Sequence, residues 1–199
     1  AAYDTTDGVS FENATFDGKL MAMPSISPGA DAIPVLFIRG DWMEELGLEA
    51  PKSVEDISNI VKAFKEKYGE SNSLVMSQNI VSENGNNTYG MDALFALYGA
   101  YPKHWVTDAD GNLVYGSNTE EAKTALAEIR KLVEDGTIDA SFTVRDSDQC
   151  AELVTSGQAG IFFGAWWNMS WPLNNMVEED PSIYWNAYLA PLTEDGTYN

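Results

Sequence analysis

One segment, 156–167, constrains the fold more than any other part of this 199-residue chain. It opens with a Ser-Gly turn and continues into the short apolar run 159–163, which is too short for a helix and typical of a buried strand. Gly164 ends the run, and Trp166 and Trp167 follow where the chain leaves the predicted sheet. In open α/β sheets, ligands bind at the carboxyl ends of the strands. The segment therefore predicts a sheet edge that presents indole rings to a ligand.

The two tryptophans suggest which ligand such an edge would hold. An indole ring is a large, flat, apolar surface with one hydrogen-bond donor, suited to stacking on the C–H face of a sugar ring. Trp166 and Trp167 therefore favour a carbohydrate-binding cleft. The alternative is that both rings pack in the core, because tryptophans in globular domains are highly buried on average. These residues alone leave both interpretations open.

Charge and cysteine content exclude several function classes. Acidic residues outnumber basic ones 31 to 11, and the resulting charge of −20 repels phosphate backbones and anionic lipid heads. We therefore expect no nucleic-acid partner. Cys150 is the only cysteine, so the chain has no internal disulfide and no thiolate cluster for a metal. No apolar stretch approaches the length of a membrane span, and the chain begins with Ala1, as expected for a piece cut from a longer protein.

Short apolar runs alternate with amphipathic segments along the chain, which indicates an α/β layered domain. The runs predict strands at 35–38, 74–76, 112–115, 159–163 and 184–189. Apolar residues at helical spacing predict a helix at 169–177 and further helices that end at Gly47, Gly69, Gly99, Gly136 and Gly157. Ser53 followed by Asp56, and Asn118 followed by Glu121, predict capped helix starts.

Four stretches carry a resemblance to a known family. They are 16–24 (FDGKLMAMP), 36–48 (LFIRGDWMEELGL, with Pro51 and Ser53 after it), 135–139 (DGTID) and the segment 156–167. In order and spacing they resemble the extracellular solute-binding proteins of bacterial ABC importers, in the maltose-binding-like, sugar-binding branch. The nearest likeness is to the oligosaccharide-binding lipoproteins of Gram-positive bacteria.

The resemblance implies a periplasmic-binding-protein-like type II fold, in which two α/β lobes close on a solute. Residues 1–34 would be a strip of the first lobe that leads to the interlobe crossing. Residues 35–199 would be the second lobe, ending near the return crossing. The implied partners are a small solute, the rest of the first lobe and a membrane permease. The protein would be extracellular and lipid-anchored through a segment outside this chain, and it would need no cofactor.

The resemblance also implies which residues contact the solute. Trp166 matches the tryptophan that sugar binders of the family stack on their ligand, and Trp167 is its neighbour. Tyr89, just ahead of the helix that starts near Met91, matches an aromatic ring in the cleft. The Asn-rich run 84–87 precedes it, and the amide of Asn87 both donates and accepts hydrogen bonds. The alternative for that run is a solvated loop.

Other features of the sequence favour structural roles. His104, the only histidine, has no histidine partner for a zinc site. The turn 108–112 resembles the start of a calcium loop, but Thr119 stands where such a loop needs glutamate. Met169, Trp171 and Leu173 are predicted to pack the helix behind the site.

The function that follows is solute capture without catalysis, and so not an enzyme. One alternative is a carbohydrate-active enzyme that uses the tryptophans as a subsite and an acidic pair for hydrolysis. Another is a binding protein that reports to a sensor kinase instead of a permease. The sequence does not separate import from sensing.

Overall fold

The computed structural model describes residues 8–25, 33–82 and 88–189. The chain divides into two compact units, Ala1–Asp31 and Ala32–Asn199. In the first, a one-turn helix α1 (Val9–Glu12) precedes a hairpin of β1 (Thr15–Phe16) and β2 (Lys19–Leu20). The hairpin turn is Asp17-Gly18, and both residues have positive φ (49° and 73°). Asp-Gly is a favoured pair for this two-residue turn because it tolerates left-handed backbone.

A three-stranded antiparallel sheet forms the centre of the second unit. Strand β3 (Pro34–Arg39) lies between β6 (Ile161–Ala165) and β7 (Trp185–Leu189). All three strands were predicted from apolar runs, and the structure confirms them. Strand β6 extends past the predicted end at residue 163, because Gly164 and Ala165 still pair with β3.

The predicted strand 74–76 takes part in the sheet only through isolated bridges. Leu74 pairs with Ile138, and Val75 pairs with Phe162 of β6, both in parallel orientation. Consequently 74–76, β6 and β7 run in the same direction. Their carboxyl ends meet at one edge of the sheet, which we call the carboxyl edge.

Helices cover both faces of this sheet. They are α2 (Gly40–Leu46), α3 (Val54–Tyr68), α4 (Asp92–Leu97), α5 (Glu120–Glu134), α6 (Ser147–Thr155) and α7 (Leu173–Glu179), with 3₁₀ helices at Gly116–Asn118, Ala140–Val144 and Trp166–Met169. A separate hairpin consists of β4 (Trp105–Thr107) and β5 (Leu113–Tyr115). The glycine-terminated helices of the sequence analysis are present, which confirms an α/β domain.

Alternate residues of the central strands supply two hydrophobic clusters. Leu36 and Ile38 of β3 belong to the larger cluster, with side chains of α2 to α5. Phe37, between them in sequence, belongs to the smaller cluster, with side chains of α6 and α7. Successive side chains of a strand point to opposite faces, so the sheet separates two layers of helices.

The start of α5 differs from the sequence prediction by one residue. Thr119, not Asn118, is the N-cap, and its Oγ1 accepts a hydrogen bond from the Ala122 N–H at 3.2 Å. Asn118 is occupied as the last residue of a 3₁₀ helix. The predicted Ser53 cap of α3 is confirmed, because its side chain accepts from the Asp56 N–H at 3.1 Å.

Thr119→Ala is expected to lower the free energy of unfolding by about 1 kcal/mol, because it leaves a first-turn N–H of α5 without its side-chain acceptor. Asn118→Ala is the matched control and is expected to cost less than about 0.5 kcal/mol. Urea unfolding followed by far-UV circular dichroism measures both. A larger loss for Asn118→Ala would contradict the observed cap.

Candidate functional site

The chain turns directly into a 3₁₀ helix, Trp166–Met169, at the carboxyl end of β6. The Trp166 side chain is 55% exposed there, and Trp167 is half-buried. The local cause is that Ala165 is the last residue of β6 paired with β3, so the next residues leave the sheet. Both tryptophans therefore lie at the carboxyl edge, as the sequence predicts.

A fully buried amide, Asn168, organises the turn behind these rings. Its Oδ1 accepts a hydrogen bond from the Thr88 Oγ1 at 3.0 Å. Its Nδ2 donates to the Trp171 carbonyl oxygen at 3.1 Å. A β-carbon on Gly164 would lie 2.4 Å from Asn168 Oδ1, so only glycine leaves room for this amide. No sequence motif marks Asn168, and its position in this turn is visible only in the structure.

The structure brings the backbone of Tyr89 to the same edge. Its N–H donates to the Phe163 carbonyl at 2.8 Å, and its carbonyl accepts from the Ser77 N–H at 2.9 Å. The residue has left-handed backbone, with φ at 65°. Tyr89 thus connects the end of β6 to the end of 74–76.

The ring of Tyr89 points away from the surface. It is 2% exposed, and its centroid lies 5.1 Å from that of Phe162 in the smaller cluster. Burial raises the pKa of Tyr89, and its Oη makes no hydrogen bond within the described ranges. The ring of Tyr89 is therefore part of the smaller cluster, and a solute contact by Tyr89 stays a prediction. Asn87 and the rest of the run 84–87 lie outside the described residues.

The prediction for residues 169–173 is only partly right. Leu173 is buried, as predicted, but Trp171 is 53% exposed and Met169 is also exposed. The predicted helix from residue 169 is interrupted, and α7 begins only at Leu173. A proline ring disfavours helical backbone at the residue before it, so the Trp171-Pro172 pair is the sequence signal for this interruption.

The remaining polar groups have structural surroundings. The Asp108 carboxylate accepts hydrogen bonds from the N–H groups of Asn112 (2.7 Å) and Asp110 (3.0 Å). These bonds close the turn, and the one from the Asn112 N–H holds the pKa of Asp108 below its usual value. Burial raises the pKa of Cys150 to about 12.

Within 8–25, 33–82 and 88–189, no cluster of three or more histidine, cysteine or acidic side chains suits a metal ion. No helix in those ranges is long and apolar enough to cross a membrane.

The family model for bacterial extracellular solute-binding proteins matches residues 8–198. Lipoprotein LipO of Bacillus subtilis (strain 168) is 30% identical over 161 residues, which cover 74% of this chain and 30% of LipO. The fructooligosaccharide ABC transporter substrate-binding protein FusA of Streptococcus pneumoniae serotype 4 (strain ATCC BAA-334 / TIGR4) is 27% identical over 179 residues, covering 83% and 31%.

A third relative is the polygalacturonan/rhamnogalacturonan-binding protein YtcQ of Bacillus subtilis (strain 168). It is 28% identical over 153 residues, which cover 77% of this chain and 30% of YtcQ. The chain thus spans about 30% of the length of the curated relatives it matches.

Two solved structures share the fold. The alginate-binding protein AlgQ2, solved without calcium ion, superposes with a TM-score of 0.70 at 16% identity, over 99% of this chain and 40% of AlgQ2. FusA in complex with kestose superposes with a TM-score of 0.60 at 25% identity, over 85% and 33%. The α/β fold is thus that of periplasmic-binding-protein-like proteins, and the chain covers part of it.

Proposed function

We propose a function for this chain, which belongs to the bacterial extracellular solute-binding proteins: capture of a sugar or oligosaccharide, without catalysis, for import through an ABC permease. The observation that carries the proposal is the exposed indole of Trp166 at the carboxyl edge. An exposed indole of this size offers a stacking surface for the apolar face of a sugar ring. The partly buried neighbour Trp167 would support it.

Binding is favoured over hydrolysis by what the relatives do. YtcQ and FusA are named as carbohydrate-binding proteins, and neither name includes an enzymatic activity. Hydrolysis of a glycosidic bond requires two carboxyl groups on either side of the scissile bond. The carboxyl edge instead presents the indoles of Trp166 and Trp167, a surface that suits recognition of a sugar ring.

The arrangement of lobes is part of the proposal. Residues 35–199 form the second lobe, and residues 1–34 are a strip of the first, whose remainder lies outside this chain. The proportion of the relatives that the chain covers is consistent with this division. LipO is named a lipoprotein, which supports a lipid anchor outside this chain that holds the protein on the extracellular side.

An oligosaccharide panel tests the function directly. The complete product of the gene is incubated with kestose, oligogalacturonides and alginate oligosaccharides, and tryptophan fluorescence and product formation are both recorded. We expect at least one saccharide to change the fluorescence without being cleaved. Cleavage would contradict the binding function, and the absence of any saccharide response would contradict the ligand class.

The isolated chain is expected to bind the same saccharide at least about 100-fold more weakly than the complete gene product. Small-ligand sites bury 70–90% of the ligand surface or more, and a single wall cannot supply that contact. Isothermal titration calorimetry of both proteins measures the difference. Sub-micromolar binding by residues 1–199 alone would contradict the two-lobed site.

A further inference from the structure

A second large ring stands on the surface close in sequence to Trp166. Trp171 is 53% exposed, nearly the same fraction as Trp166. Among the described residues, buried tryptophans such as Trp42 and Trp185 are packed against other rings. An exposed indole in a short turn, by contrast, keeps a large apolar face in water, where a ligand can cover it.

The backbone of Trp171 is fixed to the carboxyl edge by hydrogen bonds. Its carbonyl accepts from Asn168 Nδ2 at 3.1 Å, and its N–H donates to the Trp167 carbonyl at 3.3 Å. Asn168 in turn accepts from the Thr88 hydroxyl at 3.0 Å. Thr88 directly precedes Tyr89, whose N–H is bonded to Phe163 of β6. The turn that carries Trp171 is thus tied to the same sheet edge as Trp166.

Asn168 achieves this from a fully buried position. A buried amide is costly unless its donor and acceptor both have partners, and here each has one. Gly164 is part of the same arrangement, because any side chain there would collide with Asn168 Oδ1. The absence of a side chain at Gly164 of β6 therefore leaves room for the amide that is hydrogen-bonded to Trp171.

We propose that Trp171 is a second stacking surface for the solute and that Asn168 positions it, so that the site takes an oligosaccharide in preference to a monosaccharide. This inference rests on the proposed function. Trp166 would stack on one sugar ring of the oligosaccharide and Trp171 on another. Asn168 would act through its hydrogen bonds to Trp171 and Thr88, without touching the solute.

The direct test is Trp171→Ala in the complete gene product, titrated by calorimetry with the saccharide of the panel above that binds most tightly. We expect about tenfold weaker binding, as for loss of one stacked ring. Trp105→Ala is the matched control, since Trp105 is 65% exposed on the separate hairpin of β4 and β5. Its affinity is expected to stay within twofold of the wild type. Unchanged affinity for Trp171→Ala would overturn the inference.

The positioning role of Asn168 is tested by substituting Thr88, because truncation of Asn168 itself would leave a cavity in the interior. Thr88→Val removes the hydroxyl donor at nearly constant volume, and Thr88→Ser restores it. In protein labelled with 5-fluorotryptophan, the ¹⁹F resonance of Trp171 is identified by its absence in Trp171→Phe. We expect this resonance to shift in Thr88→Val without any saccharide, and to return in Thr88→Ser. A Trp171 resonance unaffected by Thr88→Val would overturn the role of Asn168.

The outcomes separate this inference from the proposed function. A wild-type protein that binds no saccharide of the panel contradicts both. A wild-type protein that binds one, together with a Trp171→Ala variant that binds it equally well, contradicts only the second stacking surface. Saccharide addition to the wild type is also expected to move the ¹⁹F resonance of Trp171 and to leave that of Trp105 in place.

Discussion

Phe162→Ala is expected to lower the free energy of unfolding by about 3–5 kcal/mol. Phe162 is fully buried in the smaller cluster. Its ring stacks on Phe37 at a centroid distance of 5.1 Å, and it contacts Tyr89 at 5.1 Å and Trp185 at 5.6 Å. Truncation would leave a cavity among three other aromatic rings, which cannot all move to fill it.

Urea unfolding followed by circular dichroism measures the effect of Phe162→Ala. Phe16→Ala is the control, because Phe16 is exposed on β1, and its effect is expected to stay within about 0.5 kcal/mol. A loss below about 1 kcal/mol for Phe162→Ala would contradict the packing described for the smaller cluster. It would also weaken the placement of Tyr89 on this ring.

Trp166→Ala is expected to weaken saccharide binding by the complete gene product at least about tenfold, because a stacked ring contributes on the order of 1–3 kcal/mol. The melting temperature is expected to change little, since more than half of the side chain is already in water. Calorimetric titration and thermal unfolding of the same preparation measure the two quantities.

The control for Trp166→Ala is again Trp105→Ala, which removes an equally large exposed ring from another element. Its saccharide affinity is expected to match that of the wild type. If Trp166→Ala kept its affinity while its melting temperature collapsed, the ring would be a packing residue. The proposed function would then lose the observation on which it depends.

The elements that sequence predicted well are those whose signals are local. Strand β3 and helix α3 follow directly from an apolar run and from helical spacing, and Ser53 caps α3 through its own neighbour Asp56. The 74–76 segment was harder, because its pairing depends on Ile138 and Phe162, far away in sequence. Asn118 and Thr119 both suit an N-cap, and only the preceding 3₁₀ helix decides between them.

The candidate site divides in the same way. Trp166 was predicted correctly at the carboxyl edge, because the end of a buried strand can be read from consecutive residues. The burial of the Tyr89 ring depends on a left-handed backbone and on contact with Phe162, neither of which leaves a local pattern. The position of the Asn168 amide depends on a hydrogen bond from Thr88, 80 positions earlier in the chain, so no local pattern reveals it.

The close approach of Gly164 to Asn168 has an evolutionary consequence. A mutation that adds a β-carbon at position 164 is harmful while the amide is present, and the closest of its clashes is removed only when position 168 has changed to a smaller residue. The two positions are therefore epistatic, because the cost of a side chain at position 164 depends on which residue occupies position 168. Across homologues we expect them to covary, with glycine at the first position wherever asparagine occupies the second.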